Sequence, residues 1–182
     1  AKGAGHASAI YRDLMLAYES TLAFIAEEGI DCHAVRCGRL IAATSTAHHA
    51  ELERELAGMK ADLGLPYSML PRSRLREEMA TDLYEGGAII PDLGSLHPGL
   101  YHLGLMTKAL AAGVAIFGNF EVTAVEQAPG PGGERFRVTT AAGQVRARDV
   151  VVATNGYTPK SLPWHARRLI PFVGYMAATE KL

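Results

Sequence analysis

The run Val150-Val151-Val152-Ala153 constrains this chain more than any other feature of its sequence. Four apolar residues, three of them β-branched, stand together with no polar alternation, a pattern that suits a strand buried on both faces of a parallel sheet. Parallel strands need long crossover connections, normally helices, so the run predicts an α/β chain. It leads into Thr154-Asn155-Gly156-Tyr157-Thr158-Pro159, rich in turn formers. In open α/β sheets the carboxyl end of a strand is where ligands bind.

The rest of the chain supplies the helices. From Ser8 to Glu28 apolar residues recur at helical spacing (Ile10, Leu14, Leu22, Ile25), with Ser8 as N-cap and Gly29 as stop. Ala34 to Ala43 reads as a strand around Val35, Leu40 and Ile41, and Thr46 then caps a second helix that carries Leu52, Leu56 and Leu63 and ends at Gly64. Pro71 opens a short polar helix through Met79, and Gly86-Gly87 introduce an apolar stretch, Ala88 to Ile90, closed by the turn Pro91-Asp92-Leu93-Gly94. A third helix starts at Pro98, presents Leu100, Leu103, Thr107 and Leu110 on one face, and stops at Gly113 before the apolar Val114 to Phe117. Val122–Gln127 and Phe136–Thr140 flank a Pro/Gly-rich loop and read as a hairpin, followed by a strand over Gln144–Arg148 and a last one over Leu169–Ala178. Val114–Phe117 and Val150–Ala153 are expected in one sheet, with the helix Pro98–Ala112 packed on it.

At 182 residues and 48% apolar composition, the chain can bury a core. Its 18 basic and 19 acidic residues are scattered rather than gathered into a stripe, which argues against nucleic acid or an anionic membrane as partner. No apolar run approaches the roughly 20 residues of a membrane span, and the N-terminus lacks a signal-peptide pattern, so a cytoplasmic location is expected. Cys32 and Cys37 stand as C-x4-C without a second pair, and no histidine pair has metal-ligand spacing joined to a third ligand, so no metal site is expected. Neither a nucleophile elbow nor a cysteine with a neighbouring base is present, and no catalytic residue is assigned. Gly3-Ala4-Gly5-His6-Ala7-Ser8 invites comparison with G-x-G-x-x-G, but that loop works only after a strand, none can precede Gly3 within this chain, and Ser8 holds the third position. Together with the lack of an initiator Met, this suggests a piece of a longer protein. His97 lies in a turn where a cleft can form; its plain alternative is a turn residue that hydrogen-bonds the first turn of its own helix.

Several blocks together resemble a known family. Gly86 to Pro98, the helix to Gly113, Val114 to Val125, and Asp149 to Tyr157 are similar, in order, to successive blocks of the D-amino-acid-oxidase-like FAD oxidoreductases. The closing stretch Ile170 to Leu182 is similar to the gamma-glutamylputrescine oxidoreductase branch of that superfamily. The resemblance implies a mixed α/β and α+β fold, in which part of an FAD-binding Rossmann-like layer (residues 1–32 and 96–160) interleaves with part of a β-rich substrate domain (33–95 and 165–182). It implies FAD as cofactor, with Val122 reading adenine through its main chain and Ala153, Thr154, Asn155 and Gly156 passing close to the dinucleotide; His97 is the substrate-side candidate. For Val122 the alternative is an ordinary strand valine, and for the other four a strand-ending turn without ligand.

The implied chemistry is oxidation of the C–N bond of a small-molecule amine or amino acid by hydride transfer to flavin, leaving an imine that water hydrolyses. The chain departs from the family in lacking the glycine-rich pyrophosphate loop, so the isolated chain is expected to be inactive and not to retain FAD. Its apolar strand faces would be uncovered, and self-association is expected. The rival reading is a stand-alone α/β binding or assembly module.

Overall fold

Gly86 and Gly87 open the strand that organises the N-terminal half of the molecule. In the computed structural model, which describes residues 4–172 and 174, the chain divides into two units, Ala1–Ala115 and Ile116–Leu182. The first unit runs α1 (Ala4–Glu27), β1 (Arg39–Ala42), α2 (Thr46–Leu63), β2 (Ser68–Pro71), a 3-10 turn (Arg72–Glu77), β3 (Gly86–Ile90) and α3 (Pro98–Ala111). Its sheet has the order β1-β3-β2, antiparallel throughout, so β3 is central although it comes last in the chain. Leu40 faces Ile89 across one ladder, and Met69 faces Ala88 across the other. A Cβ on Gly87 would sit 2.4 Å from the Ile41 carbonyl oxygen, and one on Gly86 2.6 Å from that of Leu70. No side chain fits at either position.

Helix α2 closes one side of this sheet. Ser45 caps it by accepting the His48 N–H at 3.1 Å, and Gly64, left-handed at φ 76°, donates to the Lys60 carbonyl and ends it. The cap is thus Ser45 rather than Thr46, which is the first helical residue. Leu52 and Leu56 of α2 pack with Leu65, Ala88 and Ile90 to form one core cluster. A second cluster joins Ile25, Ile30 and the fully buried Cys32 to Leu100 and Leu105 of α3. The inward face of α3 therefore carries Leu100, Tyr101 and Leu105, not the expected Leu103 and Leu110, which are each 52% exposed. Helix α1 likewise turns Tyr11, Leu22 and Ile25 inward and leaves Leu14 in solvent, and it begins ahead of Ser8, which lies inside it. Arg72, Arg74 and Arg76 pair with Glu85, Glu77 and Asp82, and the arginine hydrogen bonds hold the Glu77 and Asp82 carboxyls below the usual range.

The second unit is an antiparallel meander, β4 (Val122–Gln127), β5 (Phe136–Thr140) and β6 (Gly143–Ala147), followed by a 3-10 turn at Asn155–Tyr157 and the short helix α4 (Pro163–Ala166). Its hairpin and third strand match the sequence expectation. Val125 pairs with Val138, and Val138 with Val145, while a bulge interrupts the ladder between Val122 and Ala124. All the fully buried apolar residues among those described lie in the first unit.

Three expected strands differ. Val114–Phe117 and Val150–Ala153 belong to no strand, and Val151 is 89% exposed. A strand exists only through its ladder, and neither segment finds a partner among the described residues; the β-branched run carries the propensity without the pairing. The proposed shared sheet for these two segments is corrected accordingly. Of Leu169–Ala178, residues 169–172 are not in a strand, and Val173 and 175–178 lie outside the described residues. No helix among the described residues is long and apolar enough to cross a membrane.

Removing a buried methylene cluster should cost far more than removing an exposed one. Leu56→Ala is expected to destabilise the chain by about 2–5 kcal/mol and Leu110→Ala by less than about 0.5 kcal/mol in urea unfolding. Equal losses would contradict the packing described.

Candidate functional site

Val122 is the first residue of β4, which lies at one edge of the meander and pairs only with β5 among the described strands. It faces Thr140, is half-buried, and its carbonyl accepts a long hydrogen bond, 3.4 Å, from Ser161 Oγ. Beside it the sheet face forms an open cavity of about 410 Å³ lined by Phe117, Phe120, Val122, Val138, Thr140 and Val145, among others. The Phe117 and Phe120 rings lie 5.6 Å apart between centroids, brought together by a turn in which Asn119 takes φ 60°. An edge strand beside an apolar hollow offers main-chain donors and acceptors next to a surface for a flat ring.

The expected turn forms after the apolar run. Ala153 and Thr154 are exposed, and the Tyr157 N–H donates to the Thr154 carbonyl at 3.0 Å. Thr158 Oγ1 donates to the Asn155 carbonyl at 2.8 Å. Its proton being so committed, the 2.8 Å contact between the two threonine hydroxyls runs from Thr154 to Thr158. Asn155 takes the left-handed conformation, φ 47°, which asparagine tolerates better than most residues. Gly156 does not, and the nearest atom to a Cβ built on it is Pro171 Cα at 3.8 Å, an ordinary contact. Nothing within the chain itself demands glycine there.

His97 belongs to the first unit, whereas Val122, Ala153, Thr154, Asn155 and Gly156 belong to the second. It is the N-cap of α3: Nδ1 accepts the Leu100 N–H at 3.2 Å, and its own N–H donates to the Cys32 carbonyl at 2.8 Å. A ring nitrogen that accepts carries no proton, so the neutral imidazole holds its proton on Nε2. The plain alternative for His97 is thus realised, and Nε2 is left over. Within the second unit, Ser161 couples the segment after the turn to Val122. Sequence reasoning did not reach Ser161, which lies 39 residues from its partner; for Asn155 the signal was the Asn-Gly pair itself. No group of three or more metal-ligating side chains comes together among the described residues.

Comparison with known proteins places these features. The family model described as FAD dependent oxidoreductase matches residues 3–182. The probable oxidoreductase OrdL of Haemophilus influenzae is 33% identical over 115 residues, 61% of this chain and 26% of that protein. Gamma-glutamylputrescine oxidoreductase of Escherichia coli is 29% identical over 154 residues, 84% of this chain and 35% of that protein. The chain thus spans about a quarter to a third of the curated relatives it matches. Glycine oxidase from Bacillus cereus superposes with a TM-score of 0.71 at 18% identity, over 86% of this chain and 43% of that one, a likeness of fold. With a family match that runs from Gly3 to the last residue and relatives that agree with it, the chain belongs to the family of FAD-dependent oxidoreductases.

Proposed function

We propose that the chain forms part of a flavoenzyme that oxidises the C–N bond of a small-molecule amine or amino acid. The observation that carries this reading is the match across residues 3–182 to the FAD-dependent family, supported by relatives named for putrescine-derivative and glycine oxidation. In this reading residues 1–32 and 96–160 serve the FAD-binding layer, and 33–95 and 165–182 the substrate side. Two free cysteines accord with a cytoplasmic setting.

The residues fit the cofactor. The outer edge of β4 has no strand partner among the described residues, and the one hydroxyl at the Val122 carbonyl makes only a long bond that can rotate aside. The main chain at Val122 would therefore read the adenine edge, with the Phe117–Phe120 hollow beside it. Around Ala153–Gly156, a left-handed Asn155 and a glycine that its own neighbours do not require leave room for the dinucleotide to pass close to backbone. When bound, FAD supplies the hydride acceptor for the carbon bearing the amine. His97, with Nδ1 committed to α3, would meet a substrate only through its Nε2 proton.

The test of the reaction is the complete reading frame encoding these residues, expressed and mixed anaerobically with a panel of amines and amino acids. Bleaching of the flavin absorbance by one class is expected; a flavoprotein that none of them reduces would refute the assignment. His97 separates cap from contact in the same enzyme. His97→Asn keeps a good N-cap and should leave stability nearly unchanged while lowering kcat/KM, whereas His97→Ala should also lose about 1 kcal/mol of stability. Unchanged kcat/KM in His97→Asn would confine His97 to the helix.

The 182-residue chain by itself carries no glycine-rich loop after a strand, so it is expected to purify colourless. With Phe117, Val151, Ile170 and Phe172 exposed, it is also expected to self-associate, most simply as a symmetric dimer. Stoichiometric flavin in the preparation, or a strictly monomeric species in concentrated sedimentation-velocity runs, would contradict the respective expectation.

A further inference from the structure

Seven arginines of this chain pair with carboxylates. Arg168 does not. Its guanidinium lies over the Trp164 ring, 4.0 Å from the centroid, and Nη1 donates to the Trp164 carbonyl at 2.7 Å. It has no carboxylate partner among the described residues, and none is near in sequence: from Val150 to Phe172 the chain holds Lys160, Arg167 and Arg168 and no Asp or Glu. Stacking on indole fixes the plane of a guanidinium and leaves its in-plane edge available, the arrangement that suits recognition of an oxyanion. His165 meets the same indole edge-on, with ring centroids 5.0 Å apart. Arg168, His165, Trp164, Asn155, Thr154 and Thr158 all line one cavity of about 310 Å³.

We propose that this cavity binds the phosphate group of a small ligand, with Arg168 as the principal contact. A carboxylate would be satisfied by the guanidinium edge alone, whereas the cavity also offers an imidazole and a carboxamide, donors enough for a third oxygen. The two threonine hydroxyls sharpen the choice. Thr158 spends its proton on the Asn155 carbonyl and Thr154 spends its own on Thr158, so Thr154 presents a lone pair to the cavity. A lone pair suits a ligand that carries a proton of its own, as monohydrogen phosphate does near neutrality and sulfate does not. The proposal is independent of the flavoenzyme reading, since it rests on the side chains of this segment alone.

The chain has a single tryptophan, so its fluorescence reports on this cavity without interference. The 182-residue chain is titrated with inorganic phosphate, sulfate and AMP in turn, with ionic strength held constant by chloride. A saturable change with phosphate is expected, weakened about tenfold or more by Arg168→Gln, and by a similar factor by Arg168→Lys because the fork and the stack are both lost. Arg146→Gln, a charge change on β6, should leave it unaltered. Circular dichroism verifies that each variant is folded. Tighter binding of AMP than of phosphate identifies a phosphate ester as the ligand class, and equal binding identifies the free ion; either upholds the site. No saturable change with phosphate or AMP, an undiminished change in Arg168→Gln, or sulfate binding as well as phosphate would overturn it.

Discussion

The first unit depends on three backbones meeting where there is no room for a side chain. β3 lies between β1 and β2, and at Gly86 and Gly87 the carbonyls of Leu70 and Ile41 approach so closely that even a methyl group would collide with them. That contact brings Ala88 and Ile90 down onto α2, and the larger of the two core clusters is built on that placement. It also fixes where β3 ends, so the turn from Pro91 to Gly94 returns the chain to Val35, which exchanges backbone hydrogen bonds with Ser95 in both directions at 2.9 Å. α3 starts three residues after Ser95. The cap at His97 is thus the downstream end of a series of constraints that begins with two missing side chains.

The second unit is held differently. It has no fully buried apolar residue among those described, and its strands are joined by neighbour-to-neighbour pairing and by surface ion pairs such as Arg137 with Glu126 at 2.8 Å and Arg135 with Asp149. Exposed pairs of this kind contribute little each, typically under about 1 kcal/mol. The residues that the family likeness associates with cofactor are concentrated in this lightly packed unit, on an open strand edge and an exposed turn. Surfaces of that sort suit binding, because backbone donors and acceptors already face outward and need not be released from a core.

How much of this could be read from the sequence varies with the physics of each element. α2 and its stop at Gly64, the Gly86-Gly87 strand, the start of α3 at Pro98 and the hairpin across Pro129–Gly133 were legible because caps, turn residues and close approaches act locally. β2 was missed: Ser68-Met69-Leu70-Pro71 has no strand pattern, and only its position beside β3 makes it one. The opposite error came at Val150–Ala153, where strong intrinsic preference met no partner. On α1 and α3 the 3.6-residue period was right and the choice of face was not, since apolar residues lie on more than one side and tertiary packing decides between them. Of the site, Asn155-Gly156 could be read as a turn, but the Ser161 bridge to Val122 and the stack of Arg168 on Trp164 needed the folded chain.

The strand order of the first unit also has a consequence for the chain as it is made. β1 and β2 do not pair with each other, and each finds a neighbour only when β3 arrives between them. Roughly 40 residues separate the end of β1 from that event, so at synthesis rates of about 5–20 residues per second the strand waits on the order of 2–9 s with both edges open. The meander that follows has no such delay, because each of its strands pairs with the one made just before it. On the ribosome, the first half of this chain is therefore the one that needs protection from wrong partners, although it ends with the better core.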